Sequence, residues 1–502
     1  MASNYLAKGL KRSALTVALG LCFVGGVQAQ STSGNIFGNV SGGEGASVVV
    51  TNNSGFNRTI PVSSTGQYNV SSLPVGDYTV TATRGGQVIG TRTITVRAGA
   101  GSDVSFGGDT ATLGAVTVTA SNVPVIDISA VDTRSVLTAK QLERLPLRRS
   151  AEAIALLAPG AISGAAGYFG GLVSFGGSGV SENAYYVNGY FTGEPLSNLG
   201  GFTLPYGSIE QQETYLGGYS AKYGRSDGGV ISQIGKRGSN EWVFGAQVAL
   251  VPKSLRSDGA DRYYPNVTLP AGYAYGNPAL PGKLYSRGGE SYSWNETYSA
   301  YVGGPLLKDR LFLFASAEAN KRHSVSAPVF GGDSSTHGEV KDPKVYAKLD
   351  WNITDNHFLE MTYMGEKYDS SGTIYDYNFA TGVEGAKRTS VATPANQNSE
   401  YVIAKYTGYL TDALTLSATY GHSRFNNVQI NPSIIPGLPL ISNSTLQDPA
   451  LNGGVPRTNA QPGFQGVDAR DYTDGLRADL EWVVGDHTLT LGVDNIKFEA
   501  QN

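Results

Sequence analysis

The side chains able to do acid–base or metal chemistry are sparse in this chain. Its five histidines are His323, His337, His357, His422 and His487. No two are four residues apart and no His-Glu-x-x-His is present, so the helical face of a zinc site is missing. Asp258, Asp261, Asp333 and Glu339 offer oxygen donors, but their irregular spacing does not make a calcium loop. Gly170-Gly171 and Gly176-Gly177 are not followed by Lys-Ser or Lys-Thr, so no phosphate loop follows from them. The single cysteine, Cys22, precedes the expected mature chain and supplies no thiol chemistry. Tyr263, Tyr264, Tyr273, Tyr275 and Tyr285 crowd one segment, where they suit stacking on sugars or aromatic ligands, or ordinary loop tyrosines. The reading is therefore of a non-enzyme without cofactor or metal, and the chemistry to look for is recognition.

Composition narrows this further. The net charge of −4 gives no basic field to recruit nucleic acid. Charged residues are only 16% of the chain, with 66 glycines and 29 tyrosines, and apolar content is high enough to argue against disorder. Residues 1–29 read as a secretory signal: Lys8, Lys11 and Arg12, an apolar stretch over 14–27, and Val27-Gln28-Ala29 before the cut. A lipoprotein signal at Cys22 is the rival, but Leu21 stands where a small residue belongs. After residue 29 no apolar run reaches the roughly 18 residues of a membrane helix. A β-barrel stays open, because its signal is weak alternation over short segments.

The elements that would position a binding site begin with residues 30–98, read as a small antiparallel β-sandwich. Short β-rich runs at 46–51, 77–82 and 91–96 are separated by Gly, Ser and Asn turns. Gly38-Asn39-Val40, the run 46–52, Gly66-Gln67-Tyr68 and Leu73-Pro74-Val75-Gly76-Asp77-Tyr78 resemble the carboxypeptidase regulatory-like domain. In that turn Pro sets φ and Gly permits a positive φ. The resemblance implies either a structural spacer or a carbohydrate-binding module.

Residues 99–131 read as a linker carrying one strand-like run, 113–121. Alternating β-branched residues in a flexible stretch suit addition to the edge of a partner's sheet. The core Val116, Thr117, Val118, Thr119 and Ala120 resembles a TonB box, which implies a TonB-type energy-coupling protein as partner. Over 132–240 we read an α+β unit. Thr138 with Gln141 is a helix-capping pair, Pro146 stops the helix, Ser150 to Leu157 is a second short helix, and Asn188-Gly189 closes a strand. The ordered pieces are Leu145-Pro146 with Arg148 or Arg149, Ala158-Pro159-Gly160, Glu182-Asn183, Asn188-Gly189, Gly217-Gly218, Tyr223-Gly224-Arg225 and Gly228-Gly229. Together they resemble the plug domain of TonB-dependent outer-membrane receptors, most closely the Oar-like branch. Gly235 departs from it, standing where Thr is usual, which we expect to loosen a strand end.

From 241 the period becomes two. Val345, Ala347, Leu349 and Trp351 share one face, and Tyr346, Lys348 and Asp350 the other. Leu414, Leu416, Ala418 and Tyr420 oppose Thr415, Ser417, Thr419 and Gly421. Leu476, Ala478, Leu480 and Trp482 oppose Arg477, Asp479 and Glu481. One apolar and one polar face suits lipid outside and a polar lumen. We expect nine strands, at about 241–251, 295–304, 310–321, 345–353, 357–368, 399–410, 414–425, 469–483 and 487–500. Short turns alternate with long loops at 252–294, 322–344, 369–398 and 426–468. Nine strands do not close a barrel of the plugged type, for which about 22 are usual. We therefore expect 241–502 to be the first part of a transmembrane barrel, in a fragment or truncated reading frame.

The fold class expected is mainly β: sandwich, α+β plug, incomplete antiparallel transmembrane β-barrel. The resemblance implies a receptor in the outer membrane of a Gram-negative bacterium, bedded in outer-membrane lipid, with its N-terminal domain in the periplasm. It would take up an extracellular ligand (siderophore, oligosaccharide or peptide) and bind no nucleic acid. The alternative is a surface adhesion protein that does not transport.

Overall fold

The computed structural model describes residues 32–107, 132–164, 171–220, 223–266, 280–391, 395–430, 435–439, 450, 466–484 and 487–501. The strand-like run at 113–121, Tyr273 and Tyr275 lie outside them.

The sandwich has seven strands: β1 (Ser33–Asn39), β2 (Ala46–Asn52), β3 (Asn57–Pro61), β4 (Gln67–Pro74), β5 (Gly76–Arg84), β6 (Gln87–Val96) and β7 (Gly101–Asp103). They form two sheets, β4-β1-β7 and β3-β2-β5-β6. Strict alternation in β2, with Ala46, Val48 and Val50 buried, meets Tyr78, Val80 and Ala82 of β5 to make the core. Gly66 and Gly76 adopt φ of 86° and 147°, as their turns require. The sandwich runs further than expected: β7, read as linker from its Gly-Ser-Asp composition, pairs parallel with β1.

The next unit is built on β8 (Thr133–Thr138), β9 (Ala161–Ser163), β10 (Val173–Phe175), β11 (Ala184–Val187), β12 (Tyr190–Phe191), β13 (Ile209–Gly217) and β14 (Val230–Gly235). The main sheet runs β12-β11-β14-β13-β8, and β9 pairs with β10. Both expected helices form, but shorter, at Ala139–Leu142 and Ala151–Ala155. The side chain of Gln141 accepts from the Thr138 N–H at 2.9 Å, and Ser150 Oγ accepts from Ala153 N at 3.1 Å. Edge strand β8 was not expected; its run Thr-Arg-Ser-Val-Leu-Thr reads as a helix lead-in until β13 supplies a partner.

The last unit contains β15 (Val243–Val251), the small pair β16 (Arg262–Tyr263) and β17 (Leu284–Ser286), then β18 (Tyr292–Leu307), β19 (Leu311–Ser326), β20 (Ser334–Thr354), β21 (His357–Asn378), β22 (Val383–Val391), β23 (Ala395–Tyr409), β24 (Leu414–Ile430), β25 (Gly466–Val484) and β26 (His487–Gln501). Nine strands form one antiparallel sheet in the order β15-β18-β19-β20-β21-β23-β24-β25-β26, with β22 beside β21 off that path. β15 and β26 are its outer strands, and the described residues do not close the sheet into a ring.

The nine expected strands are present, and most are longer than expected. The segments 334–344 and 369–378, expected as loop, continue β20 and β21 as a tall hairpin. Their Ser, Thr, Gly and Lys content carries no apolar alternation, because at that height neither face meets lipid. The three faces named from the sequence hold. Trp351, Tyr363, Val402, Tyr420, Leu476, Trp482, Leu491 and Val493 are exposed on one side. Tyr346, Lys348, Asp350, Thr362, Tyr401 and Thr415 are buried on the other, where the plug lies. No helix among the described residues is long and apolar enough to cross a membrane.

Candidate functional site

The site is the contact between the Gly-rich α+β unit and the inward face of the sheet. Asn188 sits at its centre, in a left-handed turn with φ of 49° that Gly189 continues at 83°. Its Nδ2 donates to Tyr346 Oη at 3.3 Å and Thr362 Oγ1 at 3.1 Å, and its Oδ1 accepts from Gly235 N at 2.9 Å. One buried amide thus ties the turn to β20, to β21 and to its own sheet. Tyr190 Oη donates to the Thr473 carbonyl at 3.0 Å. Its ring lies where a Cβ on Gly421 or Gly475 would stand, at 2.3 and 2.9 Å, so the wall is hollowed by two glycines to receive it.

Charges form a second set of ties. Arg149 lies 3.2 Å from Glu318, which also accepts from Tyr206 N; of the two arginines read from the sequence, Arg149 is the one on the wall. Arg237, at the crossing into the sheet, reaches Asp350 at 2.5 Å and Glu360 at 2.9 Å. Lys348 lies 2.7 Å and Lys405 3.5 Å from Glu360. Three cations and two carboxylates share one inward patch. Burial works against the Arg237 charge, yet Asp350 and Glu360 outweigh it and hold the guanidinium protonated. Arg237 was not singled out from the sequence. The available signal was an Arg at the junction facing two carboxylates on the polar face of the following strands.

The remaining sequence-selected residues build the unit itself. Buried Asn183 donates to the Val173 carbonyl at 2.6 Å and accepts from Gly229 N at 3.0 Å. Gly228 and Gly229 leave no room for a Cβ, which would meet Asn183 Oδ1 at 2.7 Å and the Phe175 ring at 2.2 Å. Glu182 caps a turn through the Gly179 N–H, and its carbonyl accepts from Gly228 N. Tyr223 packs edge-on to Tyr186 and Tyr219 and tilted against Tyr215. Gly217 ends β13 and Gly218 turns the chain at φ of 69°. The expectation for Gly235 is corrected: a Cβ there would stand 2.2 Å from Tyr346 Oη, so glycine admits the tyrosine that Asn188 binds.

Toward the tall hairpins, Phe191, Glu194, Asn198, Gly224, Arg225, Asp227 and Phe498 line a cavity of about 300 Å³. The Arg225 guanidinium lies 3.7 Å over the Phe498 ring. On β13, which pairs with β8, Glu213 is fully buried beside Arg134 and accepts from Tyr215 Oη at 3.1 Å. Burial, opposed by Arg134, pushes its carboxyl up to about 8. His422 contacts Asp474 and His337 contacts Glu384, each at 2.8 Å. No group of three or more metal-ligating side chains occurs among the described residues.

Three domain families match in the order of these units. Residues 36–108 match the carboxypeptidase regulatory-like domain, 127–231 the TonB-dependent receptor plug domain, and 331–502 an outer-membrane β-barrel domain. Over 341 residues the chain is 27% identical to the TonB-dependent transporter Oar of Myxococcus xanthus, covering 62% of this chain and 29% of that protein.

In domain order and in sequence the chain is similar to the Oar-like TonB-dependent receptors.

The fold is similar to that of the outer-membrane transporter YddB of Escherichia coli, with TM-score 0.51 and 14% identity over 73% of this chain and 48% of that one. The ferric enterobactin receptor PfeA of Pseudomonas aeruginosa aligns at TM-score 0.48 and 14% identity, over 73% and 49%. The chain thus spans less than half the length of these relatives. Its place is the Gram-negative outer membrane, with the plug on the luminal side of the wall.

Proposed function

We propose that the receptor takes up a ligand from outside the cell, with energy delivered through a periplasmic TonB-type coupling protein. The observation that carries this reading is the plug held on the inward face by polar ties. Beside an apolar contact of Val187, Phe202, Leu204 and Ile209 with Phe314, Met364 and Ile403, Asn188, Tyr190, Arg149 and Arg237 make hydrogen bonds and ion pairs that water can replace. A stopper that must shift needs such contacts. The segment carrying Val116 to Ala120 lies between the sandwich and β8, so a pull on it loads the plug at an edge strand. The polar cavity floored by Phe191 and Phe498 suits a first ligand contact, and Arg225 with Glu194 and Asp227 suits a polar ligand. Siderophore, oligosaccharide and peptide all fit that description. We assign the protein transport and no catalytic chemistry.

Deleting 116–120 in the full-length protein tests the assignment. Candidate ligands from the three classes are supplied to energised cells, and binding to the cells and uptake are followed separately. Binding is expected to persist while energised uptake is lost. Uptake at the undeleted rate would refute the coupling role of this segment.

A further inference from the structure

The sandwich does not hang free below the barrel. Its β2–β3 turn is set by Asn52, whose Oδ1 accepts from Ser54 N at 2.9 Å and Phe56 N at 3.0 Å. This Asx arrangement holds Phe56 at the rim of the sandwich core, edge-on to Tyr78 at 5.6 Å. The ring stacks on Phe358 at 5.6 Å and meets Tyr409 edge-on at 6.1 Å. Arg58 lies 4.1 Å over the Tyr409 ring, donates to the Thr411 carbonyl at 3.2 Å and stands 3.7 Å from Asp412. Tyr409 Oη in turn donates to the Ser72 carbonyl at 2.9 Å. The apolar core of the sandwich therefore runs without a break into two residues of the sheet.

Those two residues face inward. Phe358 shares the parity of Glu360 and Thr362 on β21, and Tyr409 that of Lys405 and Thr407 on β23. Both stand next to the short turns, which mark the periplasmic end in barrels of this kind. The turn backbone is held as well. Asn352 donates to the Ser54 carbonyl at 2.9 Å, Ser54 Oγ to the Gly238 carbonyl at 3.0 Å, and Asn240 N to the Asn53 carbonyl at 2.8 Å. A Cβ on Gly55 would stand 2.2 Å from the Asp309 carbonyl oxygen, so the loop is pressed onto that turn. Thr32 reaches further up, to Lys405 and to Gly189 of the plug. A partly open cavity of about 390 Å³ lies between the three units, with Arg237, Lys348, Glu360 and Lys405 among its lining.

We propose that the N-terminal sandwich is a second stopper, seated in the periplasmic mouth by the Phe56–Arg58 clasp and released when the plug moves. The clasp grips the sheet, while Ser54 and Asn53 grip the crossing 238–240, so a shift of plug against wall cannot leave all three contacts intact. The interface has an aromatic centre of Phe56, Phe358 and Tyr409 and a polar rim of Ser54, Arg58 and Asn352. The release step rests on the uptake reading above; the seated state does not.

Thr407 lies on the inward face beside this clasp and is buried. In the full-length protein, Thr407→Cys in isolated outer membranes is exposed to biotin-maleimide. Labelling is expected to rise by about tenfold when Phe56→Ala and Arg58→Ala are added. Equal rates in the two backgrounds, fast or slow, would overturn the seated state. A second variant guards against misfolding: Ser54→Cys with Asn352→Cys is expected to close a disulfide on mild oxidation and keep Thr407→Cys protected even without the clasp. A heat-modifiable, folded protein that forms no such crosslink overturns the docking. Neither measurement needs a ligand or an energised membrane, so their failure is distinct from failure of the uptake reading. Release is tested in intact cells, where labelling of Thr407→Cys should be faster in energised than in protonophore-treated cells. Equal rates there would overturn the stopper and leave a fixed cap.

Discussion

Two buried titratable side chains set the behaviour of the plug at the scale of single residues. Glu213 has no exposed surface, and burial raises its carboxyl to about 8 against an ordinary value near 4.5. A carboxyl raised in the folded state binds a proton there that the unfolded chain has already released. Plug stability is therefore greatest below about 4.5 and falls as pH rises toward about 8, then levels off. Chemical denaturation of the full-length protein followed at pH 5 and pH 8 should show this fall, and Glu213→Gln should flatten it. Arg237 works in the opposite sense, because its charge is wanted. Arg237→Met leaves Asp350, only 2% exposed, facing Lys348 at 3.6 Å and short of its best partner. Removing one member of a buried pair costs about 3–5 kcal/mol. The expected result is a plug released at lower urea, read as faster protease cleavage within 132–235 while the barrel stays heat-modifiable.

The wall is governed by the faces of its strands. Val402 on β23 points outward and is 53% exposed, whereas Ser417 on the neighbouring β24 points inward. An arginine on the lipid side at mid-depth costs about 2–4 kcal/mol, and on the luminal side far less. Val402→Arg should therefore lower the urea midpoint of the full-length barrel in lipid vesicles, and Ser417→Arg should leave it nearly unchanged. Equal shifts would mean the inward and outward assignments are wrong. This alternation was legible in the sequence because lipid on one side and plug on the other impose period two. Where that contrast ends, legibility ends too. In the upper halves of β20 and β21 polar residues fill both faces, so Ser334 to Lys344 carry no apolar alternation. Likewise β8 is a strand only because β13 is beside it. Asn188-Gly189 and Asn183 could be found from type and position. The reason Gly235 is glycine could not, since Tyr346 approaches it from 111 residues away in sequence.

At the scale of the whole molecule, sidedness is the property to check. The short turns and the sandwich lie at one end, the tall β20–β21–β22 hairpins at the other. An epitope inserted at Gly331, where φ is 85° and a Cβ would meet nothing within 4 Å, should be reached by antibody on intact cells. One inserted at Gly45, equally open, should be reached only after the outer membrane is permeabilised. The opposite pattern would invert the orientation.

The ties between the plug, the sandwich and the wall also carry an implication for biogenesis. Asn188 meets Thr362 across 174 residues, Tyr190 meets Thr473 across 283, and Arg58 meets Thr411 across 353. A chain made from its N-terminus presents sandwich and plug long before the strands that receive them exist. Contacts so distant form late and slowly. The sheet must then curl around a filler already present, because a finished ring would admit Tyr190 into the hollow between Gly421 and Gly475 only by threading. The two wall glycines that look like a fitting for a closed gate are, on this view, equally a template against which the growing barrel is wrapped.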